Sequence, residues 1–181
     1  MHDPVSALKG QTFDGFAQIR EIGPLGMISL RCDLGEKPLG AALKKLGLSL
    51  PAPRRIVEAG DWAAGWMSHD ELLLVLPYVE VEATLTTLRN ALAKMHFLAV
   101  DVSDARAVFR IEGDKANQIL AKLCPVDLAN LAPGELRRTR AAQVAAAFWA
   151  TQDGYTLVSF RSVAGYVMGL LTHSAQPGSE I

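Results

Sequence analysis

Apolar residues recur at helical spacing in two stretches of the chain that otherwise share little sequence. In EKPLGAALKKLG, Leu39, Ala42, Leu43 and Leu46 fall at i, i+3, i+4 and i+7, on one helical face. Pro38 stands near the start and Gly47 just past the end, so the pattern predicts a helix between them. In GDKANQILAKLCP the same spacing returns at Ala116, Ile119, Leu120 and Leu123. Asp114 is placed as the N-cap of this second helix and Pro125 as its stop.

A second pair of matched patterns follows. WMSHDELLLV, from Trp66 to Val75, aligns with WATQDGYTLV, from Trp149 to Val158. Tryptophan, aspartate, leucine and valine coincide, and Ser68 stands opposite Thr151. SHDE and TQDG are turn chemistry between β-rich runs, so each block predicts strand, turn, strand. A helical stripe comes after each: Leu85, Leu88, Leu92 and Met95 in one, Val163, Val167, Leu170 and Leu171 in the other. The second copy carries a longer connection, CPVDLANLAPGE.

The pattern predicts an α+β fold, an internal duplication of ferredoxin-like strand-helix-strand-strand-helix halves joined as one compact pseudo-symmetric domain. Its expected parts are a flexible N-terminal arm over 1–24, a first half over 25–97, a second half over 98–174 and a tail over 175–181.

Bulk composition narrows the function without naming it. Half of the 181 residues are apolar and a fifth charged, enough apolar surface for a folded core. A formal net charge of −1 gives no global field for nucleic acid or an anionic membrane, so neither is expected as a partner. The longest apolar runs, ELLLVLPYV and AAQVAAAFWA, are well short of the roughly 20 residues that span a bilayer. MHDPVSALKG lacks the charged start and apolar stretch of a secretory signal. Cys32 and Cys124 form no Cys-x-x-Cys pair, and the expected compartment is the reducing cytoplasm.

The candidate chemistry is sparse. No Gly-x-Gly-x-x-Gly or Walker A sequence occurs, and EIGPLG reads as a turn before a strand. His2, His69, His96 and His173 are scattered, without the convergent spacing of metal ligands. Cys124 falls at a helix C-terminus, away from the dipole end that lowers a thiol pKa, and reads as a small buried hydrophobe. Trp62, Trp66 and Trp149 read as core or interface residues. Arg137, Arg138 and Arg140 in ELRRTRAAQ suit a phosphate or a polyglutamate tail, or else form the solvent face of an entering strand that Glu135 partly neutralises. No catalytic, cofactor-binding or metal residue is assigned.

The segment DVSDARAVFRIEG divides into two parts. Ala107, Phe109 and Ile111 alternate as one buried strand face, with Arg106 and Arg110 on the other. Asp101, Ser103 and Asp104 ahead of them read as turn chemistry.

Four segments together resemble the gamma subunit of heterotetrameric sarcosine oxidase: VDVSDARAVFRIEG, LAKLCPVDL, APGELRRTRAAQV and FRSVAGYV, in the family's order and spacing. WMSHDELLLV in the first half fits as well, so the resemblance covers about residues 24 to 173. It implies a fold related to the folate-binding domain of the glycine-cleavage aminomethyltransferase. It implies membership of a complex that oxidatively demethylates sarcosine to glycine with tetrahydrofolate as one-carbon acceptor. The role implied for this chain is noncatalytic and structural, with FAD, FMN, NAD and zinc on the alpha, beta and delta subunits, and alpha as main contact. In the aminomethyltransferase a catalytic aspartate follows the Asp-Leu turn; here RAAQVAAAFWATQDG is apolar until Asp153. The expected subunit interface is Asp101, Ser103, Asp104, Arg106, Arg137, Arg138 and Arg140. The alternative is a free-standing folate-binding protein or one-carbon transferase.

Overall fold

A computed structural model describes residues 4–181, and His2 lies outside the described residues. The chain forms two compact units. One is Leu25–Ser103; the other joins the segment up to Pro24 to Asp104–Ile181.

The Leu25–Ser103 unit begins with β3 (Gly26–Cys32) and α1 (Lys37–Lys45). Pro38 is the second residue of α1, Lys44 and Lys45 lie in its last turn, and Gly47 at φ +74° reverses the chain after it. Three strands follow, β4 (Ile56–Ala59), β5 (Trp62–Ser68) and β6 (Glu71–Leu76), then α2 (Val81–Ala91) and β7 (Phe97–Asp101). They pair as a sheet in the order β4-β5-β6-β3-β7. Leu39, Ala42 and Leu43 of α1 and Leu85 and Leu88 of α2 bury against Ile28, Leu30, Leu72 and Leu74.

The other unit repeats this plan. β8 (Arg106–Glu112), α3 (Ala116–Leu123), β9 (Leu136–Ala141), β10 (Val144–Thr151), β11 (Gly154–Phe160) and α4 (Ala164–Ser174) follow in order. Ala107, Phe109 and Ile111 form its core with Ile119, Leu120, Phe148, Leu157, Val167 and Leu171, as the alternation predicts. Of the expected stripes, Leu39, Ala42, Leu43, Leu85, Leu88, Leu92, Ala116, Ile119, Leu120, Val167 and Leu171 are buried, and Leu46, Met95, Leu123, Val163 and Leu170 are half-buried. Each half has one strand more than the expected strand pair, β4 or β9. Lys115, not Asp114, occupies the N-cap position of α3, and it makes no side-chain cap.

The segment expected as an N-terminal arm carries β1 (Thr12–Asp14) and β2 (Gln18–Ile22). β2 pairs antiparallel with β8, giving the order β1-β2-β8-β11-β10-β9. β7, in turn, pairs with β3. β2 and β7 therefore take equivalent places, each preceding one half in sequence and completing the sheet of the other. For this reason the unit boundary falls after Ser103 rather than at residue 97.

The tail is also bonded. Lys122 Nζ donates to the Ser174 carbonyl at 2.8 Å and to Ser179 Oγ at 3.0 Å, and lies 5.0 Å from the Phe16 ring centre. The backbone N–H of Ile181 donates to Gln118 Oε1 at 2.9 Å. Among the described residues, no helix is long and apolar enough to cross a membrane.

The tryptophan match needs a one-residue correction. Trp66 pairs with Leu72 on the core face of β5, whereas Trp149 pairs with Thr156 on the face opposite Phe148. A register irregularity between Trp66 and Ser68 in β5 has no counterpart in β10 and shifts the two tryptophans out of equivalence.

Candidate functional site

The expected interface residues do not gather in one place. Asp101 ends β7, and its Oδ1 accepts hydrogen bonds from the Ser103 backbone N–H at 2.9 Å and from Ser103 Oγ at 2.5 Å. Ser103 Oγ in turn accepts from the Met27 N–H at 2.9 Å. The Val102 N–H donates to the Met27 carbonyl at 2.8 Å. Aspartate and serine two residues apart form a local cap that fastens the end of β7 to the start of β3. Asp104 stands exposed in the 3₁₀ turn Ser103–Ala105.

Arg106 opens β8, with its guanidinium carbon 4.4 Å from the ring centre of Phe160, the residue facing it on β11. A cation this close to an aromatic face is held by the ring quadrupole. Phe160 itself is 46% exposed. β9 lies three strand spacings from β8, about 14 Å, so its arginines form a separate patch.

Nor are those arginines one cluster. Alternation along β9 turns Arg137 toward the face of Phe148, its partner on β10, and turns Arg138 and Arg140 to the other face. Arg137 makes an ion pair with the buried Glu135 at 2.8 Å. Its Nε is buried without a hydrogen-bond partner. Glu135 Oε2 also accepts the Ala132 N–H at 3.0 Å, so this pair closes the loop before β9. Arg138 and Arg140 are exposed.

Burial pushes the Cys124 thiol up to about 11, and burial raises Cys32 as well. His69, His96 and His173 are exposed. Among the described residues, no three His, Cys, Asp or Glu side chains converge as metal ligands do. Asp153 lies exposed in the β10–β11 turn, where its carbonyl accepts the Gly113 N–H at 2.9 Å. An open groove of about 490 Å³ runs beside this turn, lined by Asp114, Asn117, Gln152, Asp153 and Tyr155 among others.

A profile of the sarcosine oxidase, gamma subunit family matches residues 31–176. The chain belongs to that family. It is 35% identical over 113 residues to the sarcosine oxidase subunit gamma of Corynebacterium sp. strain U-96, covering 61% of this chain and 54% of that one. A subunit gamma from Arthrobacter sp. is 30% identical over 151 residues, covering 79% of this chain and 72% of the relative. Against the two Corynebacterium relatives, the chain spans about half their length, 54% and 56%.

The fold points the same way. A chain of the heterotetrameric sarcosine oxidase from Corynebacterium sp. U-96, solved with pyrrole 2-carboxylate, superposes with a TM-score of 0.80 at 25% identity. That match covers 88% of this chain and 83% of the other. Aminomethyltransferase T of the Bartonella henselae glycine cleavage system superposes at 0.67 with 12% identity, covering 87% of this chain and 45% of that one. The aminomethyltransferase-like fold of the family is thus present here.

The sequence did not single out Lys122, Phe160, or the exposed apolar face of β7. Phe160 could have been found, since it lies in the FRSVAGYV segment and faces Arg106.

Proposed function

We propose that the chain is the noncatalytic gamma subunit of a heterotetrameric sarcosine oxidase, a cytoplasmic complex that oxidatively demethylates sarcosine to glycine. Tetrahydrofolate is the one-carbon acceptor in this reading. FAD, FMN, NAD and zinc are carried by the alpha, beta and delta subunits, and alpha is the main contact. The observation that carries the reading is the family match over residues 31–176, together with the 0.80 superposition on a chain of a heterotetrameric sarcosine oxidase.

A structural role is supported by how the polar groups are used. Ser103 Oγ gives its proton to Asp101 and takes the Met27 N–H, so this serine is committed to the β7–β3 corner. The Cys124 thiol, held near 11, is un-ionised at neutral pH and a poor nucleophile. In RAAQVAAAFWATQDG, the region that the resemblance aligns with the aminomethyltransferase's catalytic aspartate, no acidic residue occurs before Asp153. A general acid or base must come within hydrogen-bond reach of the proton it moves, and alanines cannot supply one. Arg106 on Phe160, with Asp104, Arg138 and Arg140, offers the planar donors and aromatic surface common at protein interfaces.

Co-expression of the tagged chain with the other subunits tests the assembly role. The expected result is recovery of all four chains together; recovery of this chain alone overturns it. Calorimetric titration of the isolated chain with tetrahydrofolate tests the noncatalytic assignment. Tight folate binding by this chain alone favours the free-standing folate protein instead.

A further inference from the structure

We infer that the outer edge of β7 receives a short antiparallel strand from another polypeptide, a reading that rests on the chain working inside a multisubunit assembly. The two units show the same five-strand order, ending in β7 in one and β2 in the other. Facing residues set the correspondence. Ile28 lies between Leu74 and Asp101, as Phe109 lies between Leu157 and Glu21. Asp101 therefore answers to Glu21, Ala99 to Ile19, and Val100 and Leu98 to Arg20 and Gln18.

In the unit that contains β2, this edge is covered. β1 runs antiparallel along β2, with Thr12 facing Arg20, Phe13 facing Ile19 and Asp14 facing Gln18. Gln18 Nε2 donates to Asp14 Oδ1 at 2.9 Å across the pair. In the other unit the sheet ends at β7.

The side chains say what kind of strand fits. Where β2 offers polar Gln18 and Arg20, β7 offers Leu98 and Val100, which are 54% and 41% exposed. The incoming segment then carries apolar residues in the two places that Thr12 and Asp14 hold on β1, since cross-strand neighbours on one face match in character. Its middle residue faces Ala99, which packs with Phe97 against the core of this unit. Lys94 and His96 are exposed just before β7, at the end where an antiparallel partner finishes. An acidic residue there completes the match.

The other sheet edges are defended in ways β7 is not. β4 has four residues and includes Glu58, and β1 has three residues. β9 carries Arg137, Arg138 and Arg140. Shortness and charge keep edge strands from pairing with other chains. From Phe97 to Val100, β7 has no charge.

The test is the double substitution Leu98→Lys with Val100→Lys in the co-expressed complex. Both positions are exposed, so the isolated variant is expected to melt within about 3 °C of the unsubstituted chain. Recovery with the other subunits is expected to fall at least about tenfold, whereas Leu98→Val with Val100→Ile retains it. Full recovery of the lysine variant overturns the inference. So does a dimer of the isolated chain that the same substitution dissolves, which assigns the edge to a second copy. If the unsubstituted chain itself fails to join the complex, the proposed function falls together with this inference. Backbone exchange offers an independent readout: the alternate amides of 97–101 that point away from β3 exchange more slowly in the complex than in the isolated chain, and equal rates at those amides contradict strand addition.

Discussion

Ser103 spends its hydroxyl on the corner between β7 and β3. Its hydroxyl satisfies the Met27 N–H and is itself fixed by Asp101. Ser103→Ala leaves that N–H without its side-chain acceptor and is expected to cost about 1–3 kcal/mol in denaturant unfolding. No loss would mean the corner is held by the Val102–Met27 backbone bond alone. This pair was legible in the sequence because an aspartate and a serine two residues apart bond locally. The direction of Arg137 was not, since it depends on strand register with β10, a non-local property. Cys124 gives a pH signature. Its folded pKa, about 11, lies above its ordinary 9.0, so burial of the neutral thiol contributes stability fully below pH 9 and loses it as pH rises toward 11. Melting temperature should fall across that window, and less steeply in Cys124→Ala; parallel curves for the two would contradict this. Gly154 sits at φ +150°, and a Cβ there would meet the Ile111 carbonyl oxygen at 2.0 Å. Gly154→Ala therefore forces β11 and β8 apart and is expected to cost about 3 kcal/mol or more. A chemical-denaturation midpoint unchanged from the parent would rule that out.

At the scale of elements, periodicity was a reliable guide to the four helices, because each buries one stripe against its own sheet. Leu39, Ala42 and Leu43 and their counterparts Ala116, Ile119 and Leu120 are all buried. β1 and β2 were illegible for a physical reason. Both are short, and β2 finds its partner β8 far along the chain, so no local pattern marks it. The bulge in β5 similarly made a true repeat look like an exact tryptophan match. The C-terminal segment has the composition of a tail, yet Lys122 on α3 holds it together with Gln118 and Lys115. Lys122→Met removes the donors to Ser174 and Ser179 while keeping much of the aliphatic stem. The expected outcome is a loss of about 1–2 kcal/mol and faster trimming of residues 175–181 by carboxypeptidase. Unchanged trimming would show that Gln118 and Lys115 suffice.

For the whole molecule, the duplicated α+β plan and the family were both legible, the first from matched periodicities and the second from four ordered segments. What the sequence could not convey is the exchange of β2 and β7 between the halves, which makes one unit discontinuous in the chain. A fragment beginning at Asp104 lacks β2 and leaves β8 as an open edge, so it is expected to be less stable than the full chain and to aggregate. The central claim concerns assembly, and native mass spectrometry of the co-expressed complex tests it most directly. The expected result is one species holding four different subunits, in which this chain of 19.5 kDa is present once. A stable, active oxidase assembly without this chain, with the chain itself recovered separately, would contradict the account.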